Sequence, residues 1–356
     1  MSNSTLMEAI VLHGVGDLRF EEVPIPPLAP GAVRVRIGFC GVCGSDIPRC
    51  FTKGTYSFPT ICGHEFAGTV DACGEGVTQF RPGDRVVVFP LLWREDHAAC
   101  EQGKYAQSEG YDYLGSRSDG AFSEYVVAPQ RNLIRAPDSV SLEEAAMTEP
   151  AAVALHAVRR AQVRLGDSVA VFGLGPIGLM VAQWLKAAGA GPIMLFDIQP
   201  EKLEIARSLG FEHALDSRNC DVDAEVRRRT RGHGAHVAIE AAGVAPTTLA
   251  ALQVVRRCGR VVLLGNPSAD VTLPASLISQ AMRREIDILG VWNSDFSVYS
   301  DDDDWRTVLA AMDSGILNLK PLITHRVPLS QGIAALEMMR RQSEFFTKVL
   351  LHPAAP

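Results

Sequence analysis

The sequence predicts an α/β protein of two domains, one of them built on a parallel sheet. Three observations predict this. The chain has 356 residues, and at about 150 residues per domain that length favours two domains. Its texture changes near residue 150, from short β-rich pieces set between Gly, Pro and Asp to a regular alternation of strands and helices. At the head of that alternation stands Gly173-Leu174-Gly175-Pro176-Ile177-Gly178, a glycine pattern between a strand and a helix.

Residues 33–37, 68–72, 85–89 and 122–127 read as strands of a compact β-rich domain with many turns. Residues 168–172 read as a strand, 178–188 as a helix, 193–196 as a strand and 201–209 as a helix. This βαβ order implies a parallel sheet. Further strands are expected at 237–240 and 260–264. The alternation lapses from about Gly290, so the last stretch is expected to rejoin the first domain, with Pro321-Leu322-Ile323-Thr324-His325 marking the return. The acidic run 301–304 precedes the helical spacing of Trp305, Val308, Leu309 and Met312 and reads as a cap suited to the helix dipole.

Composition narrows the function. A formal charge of −7 lacks the basic footprint of a nucleic-acid binder. The longest apolar stretch, 169–185, is broken by Gly173, Gly175, Pro176 and Gly178, so no membrane helix is expected. The opening MSNSTLMEAI has neither a basic nor a long apolar leader region. A cytoplasmic, reducing location is the expectation, with a small-molecule substrate as partner. The eight cysteines are then expected to be free, metal-bound or catalytic.

The glycine loop carries the first chemistry. Gly173 would make the tight turn, Gly175 would let the backbone approach a pyrophosphate, and Gly178 would allow close helix–sheet packing. Pro176 and Ile177 open the helix whose free N–H groups point at the phosphates. Asp197 ends the next strand, 19 residues after Gly178, where a carboxylate accepts from ribose hydroxyls. That carboxylate repels a 2′-phosphate, and Ile198 rather than Arg follows it, so NAD is favoured over NADP. Lys202 is counted with the cofactor residues, although it and Arg207 also suit an exposed helix face.

The second chemistry lies earlier. Cys43-Gly44-Ser45-Asp46, Gly63-His64-Glu65 and Thr148-Glu149-Pro150 supply thiolate, imidazole and carboxylate, the ligand types of a catalytic zinc. They come from separate segments, so on spacing alone scattered structural residues are the commoner reading.

Taken together, the motifs resemble one family over nearly the whole chain. They are Gly41-Val42-Cys43-Gly44-Ser45-Asp46, Gly63-His64-Glu65-Phe66-Ala67-Gly68, Arg81-Pro82-Gly83-Asp84-Arg85-Val86, Glu149-Pro150 and the glycine loop. The chain resembles the zinc-dependent medium-chain dehydrogenase/reductase family. Within it the chain is most similar to the polyol branch, through Asp46-Ile47-Pro48-Arg49, Tyr111-Asp112-Tyr113-Leu114-Gly115-Ser116-Arg117, Asp119-Gly120 and Ser123-Glu124-Tyr125.

The resemblance implies a doubly wound Rossmann domain, residues 156–289, inserted in a GroES-like catalytic domain of residues 1–155 and 290–356. It implies that Cys43, His64 and Glu149 surround one catalytic zinc, with Glu65 either a ligand or a close carboxylate. Asp46 would fix the imidazole of His64, and Ser45 would take the proton from the substrate alcohol. A homodimer or homotetramer is implied. The reaction expected is hydride transfer from a secondary alcohol of a polyol or polyol phosphate to NAD. Another secondary alcohol, such as sorbitol or L-threonine, and a non-catalytic NAD-binding protein are the alternatives. Arg49, Lys53 and Arg117 are placed either to hold a phosphate or to stand as surface cations. Trp292 and Phe51 read as pocket or packing residues.

There are two departures from the family pattern. The family's proton-relay histidine is replaced by Pro48. The positions of its structural-zinc cysteines are Arg94, His97, Cys100 and Ser108, a set with one thiol. A closed tetrahedral site needs four good ligands, so no structural zinc is expected.

Overall fold

The computed structural model describes residues 5–353. Residues 1–4, part of the segment read for a leader, lie outside them. The chain forms two compact units. The first runs to Pro150 and resumes at Asp295, and the second is Ala151–Ser294. Among the described residues no helix is long and apolar enough to cross a membrane.

In the first unit a seven-stranded sheet runs in the order Leu133–Arg135, Arg85–Val88, Glu65–Cys73, Ala32–Gly41, Lys348–His352 and Ile323–Pro328, with Tyr125–Pro129 also paired to Ala32–Gly41. A second sheet joins Asp17–Pro24, Leu6–Gly14 and Thr60–Ile61. Val33, Val35, Ile37, Phe66, Val70, Val86, Phe122 and Leu336 share its apolar core. Such burial is the main favourable term in folding. Strand register fixes the neighbours of one glycine: Gly41 lies opposite Glu65 on one side and Leu350 on the other. The segment after Gly41 therefore emerges between a strand that starts at Glu65 and one that starts at Lys348.

The second unit is a six-stranded parallel sheet in the order Ala214–Asp216, Ile193–Asp197, Val169–Phe172, Ala235–Glu240, Val255–Leu263 and Asp287–Gly290. This is the doubly wound order, with its crevice where the chain reverses direction beside Val169–Phe172. That strand is buried throughout, as a central parallel strand must be. Pro176–Ala187, Pro200–Ser208, Val222–Arg229, Ala245–Val254 and Ala275–Arg284 are its helices. Asp287–Gly290 lies at the sheet edge and is largely exposed.

Several boundaries differ from expectation. The strand expected at 122–127 begins at Tyr125, and Ser123 instead makes an isolated bridge to Ala9. The strand expected at 260–264 starts at Val255, because Arg256 and Arg257 interrupt its apolar pattern and Cys258 takes a positive φ of 53°. The chain rejoins the first unit at Asp295. Phe296 stacks on Phe89 with centroids 4.4 Å apart, and Trp305 meets the same ring edge-on. Asp303 caps the helix Asp304–Asp313, its side chain accepting from the Arg306 N–H.

Candidate metal and dinucleotide sites

The metal-type residues converge in the first unit. One ligand atom each from Cys43, His64 and Glu65 lies within 4.8 Å of the others. Ligands 2.0–2.3 Å from a tetrahedral ion sit roughly 3.3–3.8 Å apart, so a small contraction closes this set. Local geometry brings them together. Gly63 has φ of 97°, and a Cβ there would stand 2.5 Å from the Phe122 ring. Only glycine makes that turn, and the turn delivers His64 to the site. A Cβ on Gly41 would stand 2.3 Å from Glu65 Oε2, so glycine there leaves room for the carboxylate.

Asp46 organises the thiol segment. Its Oδ2 accepts the Cys43 N–H at 2.9 Å, and its Oδ1 accepts from Arg49 Nη1. His64 Nδ1 stands 3.6 Å from the same oxygen, beyond hydrogen-bond range, and is buried without a partner. Ser45 is exposed and makes no side-chain capping bond.

Glu149, in the first turn of Thr148–Arg160, is buried beside this group rather than within it. Its Oε1 accepts from the Tyr113 hydroxyl at 3.0 Å. The Tyr113 ring meets His64 edge-on, with centroids 5.8 Å apart. Glu65 Oε2 instead accepts from Lys348 Nζ at 2.5 Å, and Lys348 also reaches the Val42 carbonyl at 3.3 Å. Lys348 is 2% exposed. An ammonium is kept there only because a carboxylate pairs with it.

The electrostatics of the group are set by burial and by the charges that crowd it. Burial, reinforced by Glu65, raises the Glu149 carboxyl to about 7 against the pull of His64 and Tyr113. Burial opposes charge on His64, yet Asp46, Cys43 and Glu149 outweigh it and hold the imidazolium to about 10. Asp46, Glu65, Glu149 and the Cys43 thiol thus gather anionic donor groups around one imidazole. With its sulfur, nitrogen and oxygen donors, the set fits zinc.

The second unit carries the glycine loop. Gly173 has φ of 90° and packs against Ala242, while a Cβ on Gly178 would stand 1.9 Å from the Gly173 carbonyl. Nothing stands within 4 Å of a Cβ placed on Gly175, so this loop offers an open approach to the start of Pro176–Ala187. Pro176 occupies the first turn, where its missing N–H costs nothing. Asp197 holds the loop: its Oδ2 accepts the Leu174 N–H at 2.6 Å, and its Oδ1 accepts those of Ile198 and Gln199. Those bonds leave about one of its four acceptor sites for a ribose hydroxyl. Lys202 Nζ lies 4.0 Å from Asp197, a loose pairing that offsets its charge. Arg207 donates to the Ala214 carbonyl.

The other residues singled out in the sequence lie apart from these two sites or are spent on local contacts. Arg49 is committed to Asp46. Lys53 is exposed. Phe51 packs on the first unit's core with Arg340 over its ring, and Trp292 is 59% exposed. In the segment around Cys100, Arg94 pairs with Asp96 and His97 Nδ1 caps the short helix Ala98–Glu101. Cys100 is a half-buried free thiol, and the Ser108 hydroxyl is buried unpartnered. Burial pushes the Cys40 thiol well up, and a hydrogen bond with Cys50 does the same to Cys62. Tyr113 stands in a segment that carries the family resemblance but was not singled out there as a site residue, and Lys348 carried no sequence signal.

Comparison with known proteins matches both units. Residues 29–138 match the alcohol dehydrogenase GroES-like domain, and residues 176–314 match the zinc-binding dehydrogenase domain. Galactitol 1-phosphate 5-dehydrogenase of Escherichia coli K12 is 34% identical over 350 residues, covering 98% of this chain and 100% of that protein. Sorbitol dehydrogenase of Bacillus subtilis is 34% identical over 354 residues, covering 98% and 97%. The crystal structure of galactitol-1-phosphate dehydrogenase from E. coli superposes with a TM-score of 0.90 at 33% identity, over 98% of this chain and 100% of that one.

Proposed function

The chain belongs to the zinc-dependent medium-chain dehydrogenase family, and from that premise we propose that it oxidises a secondary alcohol of a polyol or polyol phosphate, galactitol-1-phosphate-like, with NAD as hydride acceptor. The convergence of Cys43, His64 and Glu65 within 4.8 Å carries this reading. Cys43 and His64 would hold the zinc together with carboxylate from Glu65, which lies in the converging group, or from Glu149 beside it. When bound, the metal polarises the substrate hydroxyl and lowers its pKa.

The chain's own residues do the rest. Ser45 Oγ takes the hydroxyl proton, and its exposure gives that proton a way to water where Pro48 supplies no imidazole. Asp46 orients the Cys43 segment through its backbone N–H. The glycine loop receives the pyrophosphate at a helix N-terminus, and Asp197 disfavours a 2′-phosphate. The galactitol 1-phosphate and sorbitol dehydrogenases are named for a polyol phosphate and a polyol, so free hexitols and hexitol phosphates head the substrate panel. The exposed edge strand Asp287–Gly290 supports pairing between copies as a homodimer or homotetramer. A cytoplasmic location is part of the same proposal.

Cys43→Ala and His64→Ala should each remove turnover with every alcohol tested while NADH binding, read by fluorescence titration, persists. Unimpaired turnover in either variant would refute the zinc assignment.

A further inference from the structure

The loop that carries Tyr113 also carries a guanidinium in an unusual setting. The Arg117 side chain lies between two tyrosine rings, 4.5 Å from the Tyr56 centroid and 4.3 Å from that of Tyr111. Cation–π contact with the two rings, Tyr56 exposed and Tyr111 half-buried, restrains the guanidinium. Nη1 donates to the Tyr111 carbonyl at 2.6 Å, and Nη2 reaches the Tyr56 hydroxyl at 3.5 Å. Arginine has five N–H donors, so three remain without an acceptor among the described residues. Among the described ion pairs none involves Arg117.

Its position is fixed from both sides. The Arg117 N–H donates to the Tyr113 carbonyl at 2.9 Å, and Tyr113 in turn bonds Glu149. Asp119 Oδ1 accepts the Ile61 N–H at 2.9 Å, and the Ala121 N–H donates to the Gly63 carbonyl at 2.9 Å, beside His64. Tyr56 lies a few residues beyond Arg49–Lys53, on the segment that begins at Cys43. From the site outward, His64, Tyr113, Tyr111 and Arg117 touch in sequence, with ring centroids 5.8 and 6.3 Å apart before the final 4.3 Å step. The two other basic candidates differ: Arg49 is spent on Asp46, and Lys53 stands exposed.

We propose that Arg117, clamped by Tyr56 and Tyr111, recognises a phosphate monoester at the far end of the substrate, so that a polyol monophosphate is taken in preference to the free polyol. The inference rests on the reading of the chain as a polyol-oxidising enzyme. A guanidinium whose rotamer is already held gives up little freedom on binding. Its in-plane donors match the spacing of phosphate oxygens.

The test is steady-state kinetics with NAD on a matched pair, a hexitol and its 1-phosphate. The wild-type zinc enzyme should favour the phosphate ester by at least about 10-fold in kcat/KM. Arg117→Gln should cut that ratio by about 10–100-fold, the range for losing charge-assisted hydrogen bonds, chiefly through KM for the ester. Arg117→Lys, which keeps the charge and loses the stacked fork, should retain part of the ratio. Should the Gln variant fail to fold, inorganic phosphate at millimolar concentration serves as the probe on the wild-type enzyme. Competitive inhibition supports the assignment, and its absence overturns it. An unchanged ratio in the variant, a parallel loss on both substrates, or a preference for a polyol carboxylate overturns the assignment and leaves polyol oxidation standing. Oxidation of neither compound overturns the functional reading itself.

Discussion

Tyr113 and Lys348 decide which carboxylate does what at the metal-type site. Lys348 neutralises Glu65 through a buried contact of 2.5 Å, whereas Tyr113 gives Glu149 a single neutral hydrogen bond. Glu65 is thereby tethered and Glu149 left with its charge largely unspent, which suits Glu149 to a metal. Removing the tyrosine hydroxyl frees the carboxylate to swing. Tyr113→Phe should weaken zinc binding about 10–100-fold, the usual cost of losing a hydrogen bond to a ligand. Competition between the apoprotein and a chromogenic chelator measures this, and an unchanged affinity sinks the idea. Cys43, His64 and Glu149 were legible as ligand types because their neighbours form recognisable motifs. Tyr113 and Lys348 were not, for a physical reason: they stand 36 and 283 positions from the carboxylates they hold. Strand register brings Lys348 and Glu65 together, and no local pattern encodes it.

At the scale of elements, the parallel sheet was the most legible part. Val169–Phe172 and Ile193–Asp197 are continuous apolar runs, and the glycine loop marks the turn between strand and helix. Strand ends were less legible where charge enters the run, as at Arg256 and Arg257. The helix Val222–Arg229 shows local sequence acting alone. Asp221 caps it by accepting from the Ala224 N–H, and acidic residues give way to three arginines along its length, as the helix dipole prefers. Glu225 pairs with Arg228 at 2.9 Å and Arg229 at 2.7 Å. Hydrogen bonding from these arginines holds its carboxyl down to about 2. A depressed acid stabilises the folded state above its ordinary value of 4.5 and loses that contribution as pH falls toward about 2. Solvent around the arginines limits the effect to about 0.5–1 kcal/mol. Urea denaturation should therefore find Glu225→Gln less stable than wild type at pH 7. The gap should close as pH drops below 4.5, and a gap that ignores pH would count against the pairing.

For the whole molecule, length and texture made two domains legible, but not where the chain crosses between them. Residues 290–294 extend the parallel-sheet unit and the first unit resumes at Asp295, because the aromatic side chains of Phe296 and Trp305 bury themselves against Phe89. A turn signal such as Pro321 says nothing of that contact. The same cluster bears on how many metals the chain holds. Trp93 stacks on Tyr105 at 4.1 Å with planes 17° apart, Arg131 lies over Trp93 at 4.3 Å, and Phe296 closes the group. These rings flank the lobe where relatives are expected to place a structural zinc, and they anchor it by packing and cation–π contact. Arg94 and His97 are meanwhile tied to Asp96 and to the Ala99 N–H. A four-ligand site cannot assemble from one remaining thiol without undoing both arrangements. We therefore propose that only the Cys43–His64 site takes zinc. Elemental analysis of the purified protein should give one zinc per chain. Stripping it with a chelator should abolish turnover while the tryptophan emission of the lobe stays unchanged. Two zincs per chain, or a lobe that unfolds as zinc is withdrawn, would show that metal rather than aromatic packing holds this part of the molecule.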